Sequence, residues 1–326
     1  MRFTDLYSDV GTIAQITGQS SFLKRAGQRA LDRISSNHPW PFYLVEDRTT
    51  LLTVDDYTTG TVSITNGSAA VTGTSTVFTA AMVGRKIRFG SDKAYYTILS
   101  RTSDTAITLD QNYQGTTNTA ATFVIYQDTY RLAADVDKYH YFRQIENGVL
   151  LIDADPADFD YVYPMPDALS DPRIVVPVGR NQDTYTTGTV SATVGTTSIT
   201  GSSTAWTSVQ GLTRGNRLRI GDNVYTIRSV DSATGITTYE SIVATVSDNA
   251  YTVFLDNIRV QFYDLPNAAR YIYYRYWRKP APLINDYDEP DLPPSFHWVL
   301  LRGGLVDAWM YKGSGYAANV TQAEQH

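Results

Sequence analysis

Residues Tyr57–Ser63 read YTTGTVS, and Tyr185–Ser191 read YTTGTVS again, an offset of 185 − 57 = 128. The likeness continues through Val71-Thr72-Gly73-Thr74-Ser75 against Ile199-Thr200-Gly201-Ser202-Ser203, and Phe78-Thr79 against Trp206-Thr207. Beyond a small insertion, Lys86-Ile87-Arg88-Phe89-Gly90 matches Arg217-Leu218-Arg219-Ile220-Gly221, and Tyr96-Thr97-Ile98 matches Tyr225-Thr226-Ile227. Two copies of one unit share one set of local preferences, so the repeat constrains the architecture before any other signal does. Apolar residues alternate in short runs within each copy, as in Val62/Ile64, Ile87/Phe89, Ile107/Leu109 and Phe123/Ile125, and Asn, Gly, Ser and Asp break the runs. Alternation with period two between turn residues predicts strands. Each copy, 57–126 and 186–254, is therefore expected to be a small all-β module, a sandwich or a barrel. A solenoid needs adjacent units stacked on a shared core. The unrepeated stretch between the copies predicts instead two insertions into one scaffold.

That scaffold, or base, comprises residues 1–56, 127–185 and 255–326. One helix is predicted from Ser21 to Asn37, where Phe22, Leu23, Ala26, Ala30, Leu31 and Ile34 share a face and His38-Pro39 ends it. A second runs from Ser295 to Lys312, opened by Pro293-Pro294 and closed by Gly313, with Phe296, Val299, Leu300, Gly303, Val306 and Met310 on one stripe. Gly303-Gly304 inside it costs about 1 kcal/mol per residue relative to Ala, which a close helix contact would offset; a kink is the alternative. Two strand-like runs, Ile258–Phe262 and Arg270–Trp277, flank a polar turn and predict a hairpin. The fold class expected is thus α+β and β-rich: a helical-bundle base with a small antiparallel sheet, carrying two repeated β-modules.

Composition narrows the function. The 24 tyrosines and the Thr-rich stretches favour sheet over helix. Zero cysteines exclude disulfides and thiolate chemistry and fit a reducing compartment. Met1–Val10 has no basic segment followed by an apolar core, and no apolar run reaches about 18 residues, so neither export by signal peptide nor a membrane span is expected. A net charge of −6 opposes a grip on nucleic acid, which is held through clustered Lys and Arg.

The base carries further scattered signatures. Trp40 follows the first predicted helix; Tyr130-Arg131-Leu132-Ala133-Ala134-Asp135 forms a turn-like stretch; Leu265-Pro266, Tyr273-Tyr274-Arg275-Tyr276 and Pro280-Ala281-Pro282-Leu283 follow in order. Asp291-Leu292-Pro293-Pro294-Ser295-Phe296-His297-Trp298 then leads into the last helix. In this order they resemble the head-to-tail adaptor (connector) proteins of tailed bacteriophages, the tail tubular protein A type, with Ala133 where that family has a proline. The resemblance covers about half the chain and leaves the modules outside. It implies a structural virion protein of the neck, made in the host cytoplasm, without enzymatic activity, cofactor or membrane. Its partners would be copies of itself in a ring, usually of twelve subunits, the portal protein, and a downstream tail or nozzle protein. Genomic DNA would pass through the bore without sequence-specific binding. The alternative from another class is a tail receptor- or carbohydrate-binding protein, with Phe78, Trp206 and Tyr225 as exposed platforms on the modules.

Several clusters invite a site. Asp153-Ala154-Asp155-Pro156-Ala157-Asp158-Phe159-Asp160 offers alternating carboxylates, but lacks the glycine and terminal Glu of a calcium loop and is expected to be a solvated turn. Asp286-Tyr287-Asp288-Glu289-Pro290-Asp291 would neutralise the positive end of the helix that follows, or serve an interface. Lys24, Arg25, Arg29 and Arg33 form a basic stripe; such stripes are commonly solvated, and in an adaptor this one would face the portal or a neighbour. The final segment has few apolar groups and no periodicity. By the resemblance it reaches into the portal, which makes Ser314, Gly315, Tyr316, Val320 and His326 interface candidates. His38, His140, His297 and His326 lack paired-ligand spacing, and no phosphate-cradle or nucleophile-elbow motif is present, so no catalytic, cofactor or metal site is expected.

Overall fold

The computed structural model describes residues 1–45, 49–90, 92–163 and 167–313. The chain opens with helices α1 (Phe3–Ile13) and α2 (Ser20–Asn37) and strand β1 (Thr49–Leu52). Module one follows as β2 (Thr61–Ile64), β3 (Ala70–Thr74), β4 (Lys86–Phe89), β5 (Tyr95–Ser103), β6 (Ala106–Leu109), β7 (Asn118–Ala121) and β8 (Phe123–Tyr126). The middle of the base supplies β9 (Thr129–Arg131), β10 (Val136–Gln144), β11 (Ile152–Asp153), helix α3 (Pro156–Val162) and β12 (Ile174–Tyr185). Module two brings β13 (Thr189–Ala192), β14 (Ser198–Ser202), β15 (Arg217–Ile220), β16 (Asn223–Ser232), β17 (Gly235–Thr238), β18 (Val246–Asn249) and the start of β19 (Tyr251–Tyr263). β20 (Tyr271–Arg278) and α4 (His297–Lys312) close the chain.

The two modules have one topology. Module one orders its strands β7-β2-β3-β6-β5-β4-β8, and module two orders the equivalent strands β18-β13-β14-β17-β16-β15-β19. A single residue, Thr122 or Ala250, separates the first and last strand of each path, so each sheet closes on itself as a small barrel. Closure removes the free edges that an open sheet would expose. The alternating residues line the interior: Val62, Ile64, Ile87, Phe89, Ile107 and Ile125 in one barrel, and Val190, Leu218, Ile227, Ile236 and Val253 in the other. Each such side chain contributes about 1.5–3 kcal/mol on burial.

The repeated heptapeptide has a backbone cause. Gly60 and Gly188 sit at φ +89° and +84°, where L side chains are strained, and a Cβ there would lie 2.5 Å from the Thr74 carbonyl oxygen or 2.3 Å from that of Ser202. Only glycine fits. The tyrosine three residues earlier is likewise used twice: Tyr57 Oη accepts from Val77 N at 2.7 Å, and Tyr185 Oη from Ala205 N at 3.1 Å.

The base departs from the helical bundle expected of it. Strand accounts for 39% of the described residues and helix for 21%, and the centre of the base is a sandwich of two sheets. One sheet is β1-β20-β10; the other contains β11, β12 and β19, with β9 added on β19. Leu51, Tyr130, Phe142, Val175, Phe262, Ile272 and Tyr274 fill the space between them. The expected hairpin is also absent. β19 pairs with β12, β9 and β15, while β20 pairs with β1 and β10, so the turn after β19 crosses from one sheet to the other. Both strands alternate because each has one face on the shared core, a pattern that hairpin partners and sandwich partners produce equally. Helices α1, α2 and α4 form a separate cluster at one end.

Candidate functional site

Three helices meet closely at this end because glycines line their seams. A Cβ on Gly303 would lie 2.8 Å from Ala30 Cβ, one on Gly304 3.0 Å from Val10 Cγ2, and one on Gly27 3.0 Å from a ring carbon of Phe3. The Gly303-Gly304 pair therefore marks a close contact of α4 on both α2 and α1. The buried stripe of α4 is Leu300, Gly304, Leu305, Val306 and Ala308, while Trp298, Met310 and Tyr311 are about half exposed. Trp40 ends α2 by donating its Nε1–H to the Ile34 carbonyl at 2.9 Å.

Three cations of the basic stripe on α2 are paired within the chain, and Arg29 and Arg33 stay exposed while they pair. Arg33 donates to Asp307 of α4 at 2.7 Å, and Arg29 lies 3.8 Å from the same carboxylate, which is nearly buried. Lys24 meets Asp286 at 2.5 Å; the bond between them raises the Lys24 amine above its ordinary value and lowers the Asp286 carboxyl. Arg25 is exposed and has no ion pair among the described residues. Of the four cations, three are tied within the chain to partners more than two hundred residues away, a pairing that α2 alone does not reveal. Ser314, Gly315, Tyr316, Val320 and His326 lie outside the described residues.

The acidic stretch 286–291 serves a different helix end from the one expected. The carbonyls of Asp288 and Asp286 accept from Phe3 N at 2.8 Å and Thr4 N at 3.0 Å, satisfying the first N–H groups of α1 rather than of α4. Asp288 accepts from Ile284 N and Asn285 N within its own loop, and Asp291 holds both arms of Arg278. In the other stretch, Asp155 caps α3 through Ala157 N at 2.9 Å and Asp153 accepts from Tyr139 Oη. Among the described residues no three His, Asp or Glu side chains converge as metal ligands, and no helix is long and apolar enough to cross a membrane.

The stretch from Tyr130 to Asp135 builds the floor of the sandwich. Tyr130 and Leu132 are fully buried; Tyr130 Oη donates to the Gln127 carbonyl and accepts from Val54 N. Asp135 is buried and accepts from Tyr276 Oη at 3.1 Å; desolvation raises its carboxyl above the ordinary value. Ala133 stands where the adaptor pattern has proline, and its N–H donates to Tyr274 Oη at 3.0 Å, a bond that proline cannot make. Phe78, Trp206 and Tyr225 are buried in the barrel cores, which removes them as a sugar platform.

Residues 173–326 match the family model of the SU10 adaptor protein. A comparison with curated proteins finds no match. The matched stretch runs from β12 through module two, β19 and β20 to α4 and the C-terminus, so the second module falls inside the likeness rather than outside it. The match supports a phage adaptor, a structural component of the virion.

Proposed function

We propose that this chain is a subunit of a head-to-tail adaptor in a tailed phage, assembling as a ring that docks under the portal, joins it to the tail and lets DNA pass through its bore. The match of 173–326 to the SU10 adaptor protein carries the proposal. The helical end supports it in kind: closely packed, and bearing exposed Arg25, Trp298, Met310 and Tyr311 on α2 and α4. The segment 314–326, which follows α4 in the sequence, forms with Arg25 the proposed contact with the portal. The base is taken as one discontinuous unit, 1–56, 127–185 and 255–326, into which the modules 57–126 and 186–254 are inserted. Symmetric closure makes many weak contacts act together, so the ring is expected to form on the portal rather than in free solution.

Electron microscopy of the chain mixed with its cognate portal tests this. A ring of twelve copies seated under the portal is expected, and a chain that stays dispersed beside the portal would sink the proposal. Removal of residues 314–326 is expected to leave the melting temperature unchanged and to weaken docking.

A further inference from the structure

Where module one, module two and the base meet, a cleft of about 650 Å³ opens, lined by Arg85 and Lys86 before and on β4, Arg131 on β9, Arg259 on β19, Asp128, and Asp183 on β12. Strand register sets Arg131 directly opposite Arg259 on adjacent antiparallel strands. Like charges in that position repel. Asp183 answers Arg131, and Asp128 answers Lys86 at 2.6 Å. Arg85 and Arg259 donate no side-chain hydrogen bond and form no ion pair with any described residue; the buried Nε atoms of Arg85, Arg131 and Arg259 all lack a partner. Four cations against two carboxylates leave 4 − 2 = 2 positive charges in excess within a recess of a chain whose net charge is −6. Burial makes the Arg85 and Arg131 guanidiniums less basic than usual, and Arg259 adds to that effect at Arg131.

We infer that this cleft is a binding site for an extended acidic segment of a partner protein, whose carboxylates bridge Arg259 and Arg85. Guanidinium groups match carboxylates in planar, charge-assisted pairs. Val54, Ala81 and Val83 on the walls give the segment's aliphatic groups a surface to pack on. A duplex is a poorer fit, because its phosphates are gripped by rows of outward cations, whereas these are recessed and interleaved with Asp128 and Asp183.

The test uses the full chain with a fluorescein-labelled hexaglutamate peptide, read by anisotropy at low salt. Saturable binding is expected, weakened about tenfold in Arg259→Gln and in Arg85→Gln and unchanged in Arg173→Gln, which lies outside the cleft. Without peptide, Arg259→Gln should melt above the parent chain, since it removes a repulsion; this reading shows that the variant folds. The absence of saturable binding overturns the inference, as does equal binding by Arg259→Gln. A duplex DNA probe that binds more tightly than hexaglutamate and is lost in the same variants would overturn it in favour of phosphate.

Discussion

The two modules are one barrel attached to the base in two ways. In module two, β12 and β19 run out of the base and into the barrel as one ladder with a single bulge at Val178, paired from Ile174↔Tyr263 to Tyr185↔Val253. In module one the corresponding ribbon is cut. Tyr57 meets Ile125 in a lone bridge, β8 stops at Tyr126, and the strand resumes as β9 only at Thr129. The inlet explains the cut: Thr53 and Asp55 bond to Ala268, Ala269 and Arg270 in the turn between β19 and β20, instead of to the module's own outlet. Side chains then link module one to its surroundings, through Lys86 to Asp128 and Lys93 to Asp167. Two related sequences, identical over Tyr57–Ser63 and Tyr185–Ser191 and more loosely matched beyond, thus yield one continuous coupling and one interrupted coupling, and the difference comes from the residues just outside the repeat.

The largest effect should come from deletion. Replacing residues 57–126 with a short Gly-Ser link should leave the base folded, because closing such a loop costs little and the base retains its own core. Replacing 186–254 should lower the melting temperature far more, since it ends the shared ribbon. Equal losses by circular dichroism would show that the two attachments do not differ mechanically.

Core truncation sharpens the contrast. Phe78→Ala and Trp206→Ala remove equivalent, fully buried rings and should each cost about 3–5 kcal/mol within their own barrel. Hydrogen exchange should separate them. Loss of Trp206 is expected to speed exchange along the base half of β12 and β19, whereas loss of Phe78 leaves that half protected.

A smaller effect tests how the two cores differ in chemistry. Phe78 packs edge-on against Phe123, and Trp206 packs edge-on against Tyr251 at the same centroid separation, 5.9 Å, but Trp206 Nε1 also donates to Tyr251 Oη at 2.9 Å. Tyr251→Phe strands that buried N–H and should cost about 1–3 kcal/mol by urea titration. Phe123→Tyr, which adds a hydroxyl lacking that indole donor, should bring no gain.

The smallest effect lies at the inlet. Burial raises the Asp56 carboxyl above its ordinary value near 3.8, with Asp55 adding to it; the equivalent position in module two is the neutral Thr184. A raised folded-state value means that Asp56 favours the folded inlet while protonated, and that this contribution fades as pH rises through that value. Asp56→Asn should therefore melt slightly above the parent at pH 7 and equal to it at pH 3. A deficit at pH 7 would contradict this sign.

The strands of the two repeats and two of the helices could be read from the sequence because their signals are local. The repeat, the alternation of Val62/Ile64 or Ile87/Phe89, and the spacing of Leu23, Ala26, Ala30 and Leu31 all lie within single elements. Helix α1 was missed although Phe3, Leu6 and Val10 carry its buried face at helical spacing. The sandwich in the base could not be read, because nothing in Ile258–Phe262 or Arg270–Trp277 says whether the two strands share a ladder or face each other across a core. The basic stripe was visible as spacing, but Asp286 and Asp307 are joined to it only by folding. The cleft was invisible for the same reason: Arg85, Arg131 and Arg259 come from three separate stretches.

The tips of the two barrels offer a use in engineering. Gly67 and Gly195, equivalent residues 195 − 67 = 128 apart, adopt φ of +79° and +82° in turns at the ends of the first two strands of each module, and a Cβ on either would meet nothing within 4 Å. A foreign epitope spliced at Asn66-Gly67 or at Val194-Gly195 would project from a closed barrel that recruits no neighbouring strand. On a particle carrying many copies, the continuous ribbon would hold the graft at Gly195 at a fixed angle, and the interrupted one would let the graft at Gly67 swing to reach antibodies or surfaces at varied spacing.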